Sequence, residues 1–206
     1  MDLVEIYNQF IDNILQTSWI EAIAVICGLL SVWYSKKLNI LVYPTGIISV
    51  LLYVYICYVF GLYADMGINF VYFVMSGYGW YRWTHPGKNS ETKELPVTFL
   101  KLKGQIIGIV ATLVFFLILS YVLKNYTDST VPYVDSFTTA VFIIGMYLMA
   151  VKKVENWIYW IIGDIISIPL YFYKGLVFTS FQYLVFLLIA VSAFFDWKKA
   201  AVKSNA

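Results

Sequence analysis

Charge is scarce in this sequence. Asp, Glu, Lys and Arg make up 13% of its 206 residues, against about 25% in an ordinary soluble domain. That scarcity, with a net charge of only +2, excludes a disordered chain and a nucleic-acid binder. Histidine is nearly absent: His85 stands alone, in a polar stretch. No histidine pair exists for a metal or for acid–base work. Cys27 and Cys57 both sit in apolar runs without CxxC spacing, which excludes a disulfide scaffold. Neither a phosphate-binding GxxxxGK[ST] nor a GxSxG nucleophile motif occurs, so an enzyme is not expected, nor ATP-driven transport by this chain alone. The last apolar run, 176–195, contains no lysine, which excludes a retinal Schiff base there. Residues 1–16 contain no Lys or Arg, unlike the basic start of a signal peptide.

Apolar residues fill the space that charge leaves. They make up 61% of the chain and aromatics 19%, with mean hydropathy +0.76. Such a composition points to a polytopic membrane protein. Seven stretches approach the length of a membrane span: 18–34, 38–60, 66–83, 104–123, 135–151, 155–173 and 176–195. Ahead of them, Leu3, Ile6, Tyr7, Phe10, Ile11 and Ile14 recur at helical spacing opposite Asp2, Glu5, Asn8, Gln9 and Asp12. That pattern predicts a short amphipathic helix over residues 1–17, lying in the membrane interface.

The basic residues support the count. With seven spans, Lys36, Lys37, Arg82, Lys88, Lys93, Lys101, Lys103, Lys152, Lys153, Lys198, Lys199 and Lys203 fall on one side. Lys124 and Lys174 alone fall on the other. The positive-inside rule then places the N-terminus outside and the C-terminus in the cytoplasm.

The first and last thirds also resemble each other. Asn39 and Gly46 correspond to Asn156 and Gly163, and Leu52-Tyr-Val-Tyr55 to Leu170-Tyr-Phe-Tyr173. Gly61 and Trp83 correspond to Gly175 and Trp197. The spacing drifts from 117 or 118 to 114, as one insertion of about a helical turn would produce. The expected fold is therefore all-α and integral to the membrane. Two parallel three-helix repeats, 18–83 and 135–197, are joined by a loop and linker helix over 84–134 and followed by a tail at 198–206, a 3+1+3 plan.

Polar groups at membrane depth mark binding sites and pathways. Asn156, Trp160, Asp164, Ser167 and Tyr171 follow three- to four-residue spacing and share one helix face. Asp164 is the one acid deep in a span, and no basic residue lies at that depth to neutralise it. Such a face suits a cavity that stacks a flat ring and holds polar substituents. Span three offers Asn69, Tyr72, Phe73, Ser76 and Trp80; span seven offers Gln182; span two offers Asn39. Pro44 and Pro169 are candidate kinks. The candidate binding residues are thus Asn39, Asn69, Tyr72, Asn156, Trp157, Trp160, Asp164, Tyr171 and Gln182, with no catalytic residue, metal or cofactor expected.

Several stretches together resemble the PnuC family of vitamin transporters: Glu155-Asn-Trp-Ile-Tyr-Trp160 with Asp164, Leu170-Tyr-Phe-Tyr-Lys-Gly-Leu176, Asn39-Ile-Leu-Val-Tyr-Pro-Thr-Gly46, Tyr63-Ala-Asp-Met-Gly67 and Tyr78-Gly-Trp-Tyr-Arg-Trp83. The resemblance covers residues 18 to about 199. It implies a trimeric bacterial transporter that takes up nicotinamide riboside through the inner membrane by facilitated diffusion, with the vitamin trapped by a cytoplasmic kinase. Relatives carry thiamine (the PnuT type) and others riboflavin. Asn156, Trp157 and Trp160 match family positions near the ligand. The aromatic face and Asp164 suit either flat cation, nicotinamide riboside or thiamine, each cation–π contact contributing ~0.5–2 kcal/mol. They suit the neutral riboflavin ring less well. A non-transporting receptor would instead lack an enclosed polar cavity, and an ion channel would need a ring of charge that is not evident.

Overall fold

The computed structural model describes residues 3–16, 18–61, 63–85, 95–127 and 129–204. Lys88 and Lys93 of the charge count, with the rest of 86–94 in the polar loop, lie outside that set. Among the described residues the chain is all-helical: α1 (Leu3–Gln16), α2 (Trp19–Lys36), α3 (Val42–Val59), α4 (Tyr63–Thr84), α5 (Leu102–Tyr126), α6 (Pro132–Ala150), α7 (Asn156–Tyr173) and α8 (Val177–Ser204). Five of these, α2, α3, α5, α6 and α8, are long and apolar enough to cross a membrane. The 22-residue α4 and 18-residue α7 match them in length. Their Asn, Asp, Tyr and Trp side chains lower the hydropathy, and these are the helices that carry most of the candidate site.

The packing closes on itself. α2 packs on α3, α3 on α4, α4 on α6, α6 on α7, α7 on α8, and α8 returns to α2. α6 is the most enclosed, with thirteen buried residues from Ser136 to Ala150. α5 lies outside this ring and packs on α6. Its outward Ile106, Ile109, Val110, Leu113 and Leu117 are exposed, a surface suited to lipid. The expected helix is present as α1, and it packs on the bundle. Phe10 packs on Phe178 and Phe181 of α8, with ring centroids 5.8 and 5.6 Å away. Gln9 Nε2 donates to the Gly175 carbonyl at 2.8 Å. The expected tail from 198 is also ordered: α8 continues through it to Ser204.

Structural features recur at a constant spacing of 114 residues, the separation of Ser35 and Met149. α2 and α6 end at C-caps Lys37 and Val151, and α3 and α7 at Phe60 and Lys174. Leu38 and Lys152 follow the first pair of helices with φ of 54° and 49°, and Gly61 and Gly175 the second pair with 71° and 75°. Each residue holds the left-handed turn that closes a helix. The tryptophans are reciprocal. Trp83 Nε1 donates to the Met149 carbonyl at 3.3 Å, and Trp197 Nε1 donates to the Ser35 carbonyl at 3.0 Å. Ser35 Oγ in turn donates to Met149 Sδ at 3.1 Å. Each indole thus ends on a helix of the opposite third of the chain. This spacing pairs Asn39 with Lys153 and Gly46 with Trp160, so the 117-residue pairing of Asn39 with Asn156 is corrected. The repeated Asn and Gly sit in an apolar, aromatic background where two registers match nearly as well by eye; caps and hydrogen bonds select one.

The hydrophobic core gathers at the end of the bundle that holds the α2–α3 and α6–α7 turns and most of the lysines. Tyr43, Trp83, Trp157 and Trp197 meet there edge to face or tilted, with centroids 5.2 to 6.2 Å apart. Lys152 lies 4.3 Å from the Trp83 ring centroid, a cation–π contact.

Candidate functional site

The start of α7 is held from outside. Thr98 forms a parallel bridge with Lys153: its N–H donates to the Lys152 carbonyl, and its carbonyl accepts from Val154, both at 3.1 Å. The Glu155 carboxylate accepts the Leu100 N–H with both oxygens, at 3.0 and 2.9 Å. Lys153 Nζ donates to Thr98 Oγ1 at 2.6 Å. The segment after the polar loop therefore straps the α6–α7 turn and sets where α7 enters the bundle.

From there α7 turns its polar stripe inward. Asn156 is 0% exposed, and Asp164 and Ser167 are each 1% exposed. Asn156 Nδ2 donates to the Lys153 carbonyl at 2.6 Å. The remaining polar atoms of the stripe are different. Asn156 Oδ1, Trp157 Nε1, Trp160 Nε1, both Asp164 carboxylate oxygens and Ser167 Oγ are buried and find no hydrogen-bond partner among the described residues. A buried polar group without a partner costs about 1–3 kcal/mol, and a charged one more. Folded proteins satisfy nearly all their buried polar groups, and six such atoms on one helix make α7 the candidate site. The cost is offset when a ligand supplies the partners.

Aromatic rings continue this face. Phe142 of α6 stacks on Trp160 at 5.2 Å and on Tyr183 of α8 at 6.1 Å. Tyr183 stacks on Tyr171 at 5.0 Å. Tyr72 of α4 lies within electrostatic reach of both hydroxyls. Gly163 makes the stack possible: a Cβ there would overlap the Phe142 ring.

Of the expected residues, Trp160 and Tyr171 are joined through the Phe142 and Tyr183 rings, Asn156 and Asp164 are buried along the same helix α7, and Tyr72 lies on the neighbouring part of α4. Trp157 is fully buried, but its ring packs on Trp197 at the basic end. Asn69 is half-buried, with Nδ2 turned back to the Asp65 carbonyl at 2.9 Å. Gln182 is half-buried on α8, one position before Tyr183. Asn39 stands apart: it is exposed in the α2–α3 turn, where Oδ1 accepts from the Leu41 N–H at 2.9 Å. Its type and place near a span end suggested a site, yet a turn asparagine bonding the backbone two residues on is ordinary turn chemistry. Sequence reasoning missed Phe142 and Tyr183. Both lie in apolar runs where an inward ring and a lipid-facing ring look alike. The glycine spaced against Phe142 is the one signal that could have found it. No group of metal-binding side chains occurs among the described residues.

Comparison with known proteins agrees with this arrangement. The family described as nicotinamide mononucleotide transporter matches residues 18–199. The chain belongs to this family. Within it, the nicotinamide riboside transporter PnuC of Escherichia coli (strain K12) is 28% identical over 208 residues, covering 89% of this chain and 87% of that protein. A riboflavin/roseoflavin transporter, RibM of Streptomyces davaonensis (strain DSM 101723 / JCM 4913 / KCC S-0913 / 768), is 24% identical, covering 87% of this chain and 84% of its own. The crystal structure of the vitamin B3 transporter PnuC superposes with a TM-score of 0.73 at 27% identity, over 98% of this chain and 90% of that one. The PnuC resemblance read from the motifs is borne out, and the site belongs to a membrane transporter rather than an enzyme.

Substitution at Gly163 tests whether the Phe142 stack forms a binding wall. A Gly163→Ala substitution should push the Phe142 ring off Trp160 and weaken vitamin binding about tenfold. It should also destabilise the protein by about 1–3 kcal/mol, as overpacking does. Titration calorimetry in detergent checks the first effect, and unchanged affinity would remove the stack from the site.

Proposed function

We propose that this chain is a vitamin transporter that takes up nicotinamide riboside across the bacterial inner membrane. The observation that carries the reading is the set of five unpartnered polar atoms of Asn156, Trp160, Asp164 and Ser167 on one face of α7, which also carries the Trp160–Phe142–Tyr183–Tyr171 stack. A flat pyridinium ring takes the stack, with Asp164 as the counter-charge, and ribose hydroxyls supply partners for the amide, indole and hydroxyl groups. The site residues are Tyr72, Asn156, Trp160, Asp164 and Tyr171, with Trp157, Asn69 and Gln182 at its margin.

The fold proposed for this role has α2–α4 and α6–α8 as two parallel three-helix units, with α5 as linker. The 114-residue recurrence of caps and reciprocal tryptophans supports it. The lysine-rich end then faces the cytoplasm, and the N-terminus lies outside. α5, apolar and packed only along one side, suits the contact of a homotrimer. Transport is facilitated diffusion, made one-way by a cytoplasmic kinase that phosphorylates the riboside.

Titration of the purified protein with nicotinamide riboside, thiamine and riboflavin tests the substrate. The riboside is expected to bind tightest; preference for either other vitamin would overturn the assignment. In proteoliposomes without a kinase, riboside should equilibrate and an uncoupler should leave its rate unchanged, because no chain of acids forms a proton relay. Uptake abolished by the uncoupler would rule out facilitated diffusion.

A further inference from the structure

α7 is pinned along most of its length and loosely built at one end. Glu155 ties its start to Leu100, and Ser180 Oγ of α8 donates to the Ile168 carbonyl at 2.8 Å. Directly after Ile168 comes Pro169, inside the helix. Proline has no N–H, so the Ile165 carbonyl lacks its usual helical partner and the helix can bend there. A groove lined by Ile168, Pro169, Phe172, Tyr173 and Ser180 lies beside the proline. Beyond it the helix runs through Tyr171 of the ring stack and ends at Lys174 and the left-handed Gly175.

An ion pair holds that last turn. Lys174 Nζ lies 2.7 Å from Asp135 Oδ1 at the start of α6, and Ser129 Oγ donates to Asp135 Oδ2 at 2.7 Å. The two charged side chains are 23% and 21% exposed, so water competes for the pair and it can open. Lys174 Nζ also lies 5.7 Å from the Tyr171 ring centroid. Asp65, in the first turn of α4, is close enough to feel both charges, and Tyr171 feels both acids. The pair therefore stands beside Tyr171, at the end of the bundle opposite the basic core.

The other half is built differently at this end. At the 114-residue spacing, Asp135 corresponds to Glu21, which likewise lies in the first turn of its helix. Lys174, however, corresponds to Phe60 and Pro169 to Tyr55. Phe60 carries no charge, and α3 has no proline beyond its first turn. Hinge and ion pair thus fall together on the helix that carries the candidate site.

We propose that residues 169–175 form the outer gate of the transport path, hinged at Pro169 and latched shut by the Lys174–Asp135 ion pair. This rests on the transport reading and on the lysine-rich end facing the cytoplasm. Opening the pair frees the last turn of α7 to swing at the proline. That motion carries Tyr171 off Tyr183 and uncovers the ring stack from outside.

The test shifts one pair of rates in opposite directions. Lys174→Gln removes the latch. Asp135→Asn removes it from the other side and keeps an acceptor for Ser129. Pro169→Ala restores the missing N–H and stiffens the hinge. Stopped-flow tryptophan fluorescence gives association and dissociation rates for nicotinamide riboside, and calorimetry gives the affinity. Both latch variants should raise both rates about tenfold, and Pro169→Ala should lower both about tenfold. Affinity should stay within threefold in all three, because a gate changes the barrier to the site and not the contacts in it. A merely structural role would instead lower affinity through faster dissociation alone. Amide hydrogen exchange without ligand reads the same hinge. Residues 170–176 should exchange faster in the latch variants and slower in Pro169→Ala, with the rest of α7 unchanged. Unchanged rates, unchanged exchange, or lost affinity with unchanged association would overturn the proposal. A parent that binds thiamine or riboflavin in place of the riboside overturns the substrate assignment alone, and the gate is then judged by the rates of that vitamin. A parent that binds none of the three overturns the transport reading and the gate with it.

Discussion

Asp164→Asn is expected to weaken nicotinamide riboside binding by about 30-fold or more while leaving the unliganded protein as stable as the parent or more stable. The two effects have one cause. Asp164 is 1% exposed, and neither carboxylate oxygen has a partner among the described residues. An unpaired carboxylate in such a place is costly to the fold. Exchanging it for an amide of the same size removes the acid without opening a cavity. The cationic ring then loses its counter-charge, and truncating one partner of a buried charge pair costs about 2–5 kcal/mol. The lower bound corresponds to about 30-fold in affinity. Opposite signs on stability and function are expected where a site stores unsatisfied groups for its ligand. Thermal melting without ligand and calorimetric titration with riboside measure the two quantities on one sample. Riboflavin, whose ring is neutral, should be affected far less than the riboside. A variant that binds the riboside normally would remove Asp164 from recognition.

Trp197→Ala should produce the largest loss of stability in the molecule, about 3–5 kcal/mol by analogy with buried tryptophans elsewhere. Trp197 is 0% exposed, touches Trp83 and Trp157, and reaches across to the Ser35 carbonyl. Removing the ring both empties the core at the basic end and breaks one of the two reciprocal ties between the thirds of the chain. Trp197→Phe separates these contributions. It keeps most of the ring but loses the hydrogen bond, so it should lose only about 1–2 kcal/mol. Melting in detergent, followed by tryptophan fluorescence, ranks the three proteins. A Phe variant as damaged as the Ala variant would mean that the tie, not the packing, holds the basic end together.

Much of the architecture was legible as composition and spacing. The seven apolar stretches correspond to α2 to α8, because helix length and apolar content are local properties that a bilayer imposes directly. The α7 stripe was legible for the same reason: Asn156, Trp160, Asp164 and Ser167 share a face by helical geometry alone. Asn39 was not legible, since an asparagine at a span end reads alike whether it lines a cavity or closes a turn. Phe142 and Tyr183 were hidden because the apolar stretches of α6 and α8 around them have no polar face to betray which rings point inward. The register of the internal repeat was also beyond reach. Aromatic runs match themselves at several offsets, whereas a cap, a left-handed turn and a hydrogen bond exist at one.

Beside the motifs that resemble the PnuC family, the sequence by itself determined an all-helical membrane protein, a polar face on α7 and a lysine-rich end. Each follows from the period of one helix or the composition of one stretch. The tertiary structure alone decided which rings stack on that face, which of its polar atoms lack partners, and which register relates the two halves. Those facts belong to pairs of helices far apart in the chain, and no local period encodes which side chains meet across the bundle.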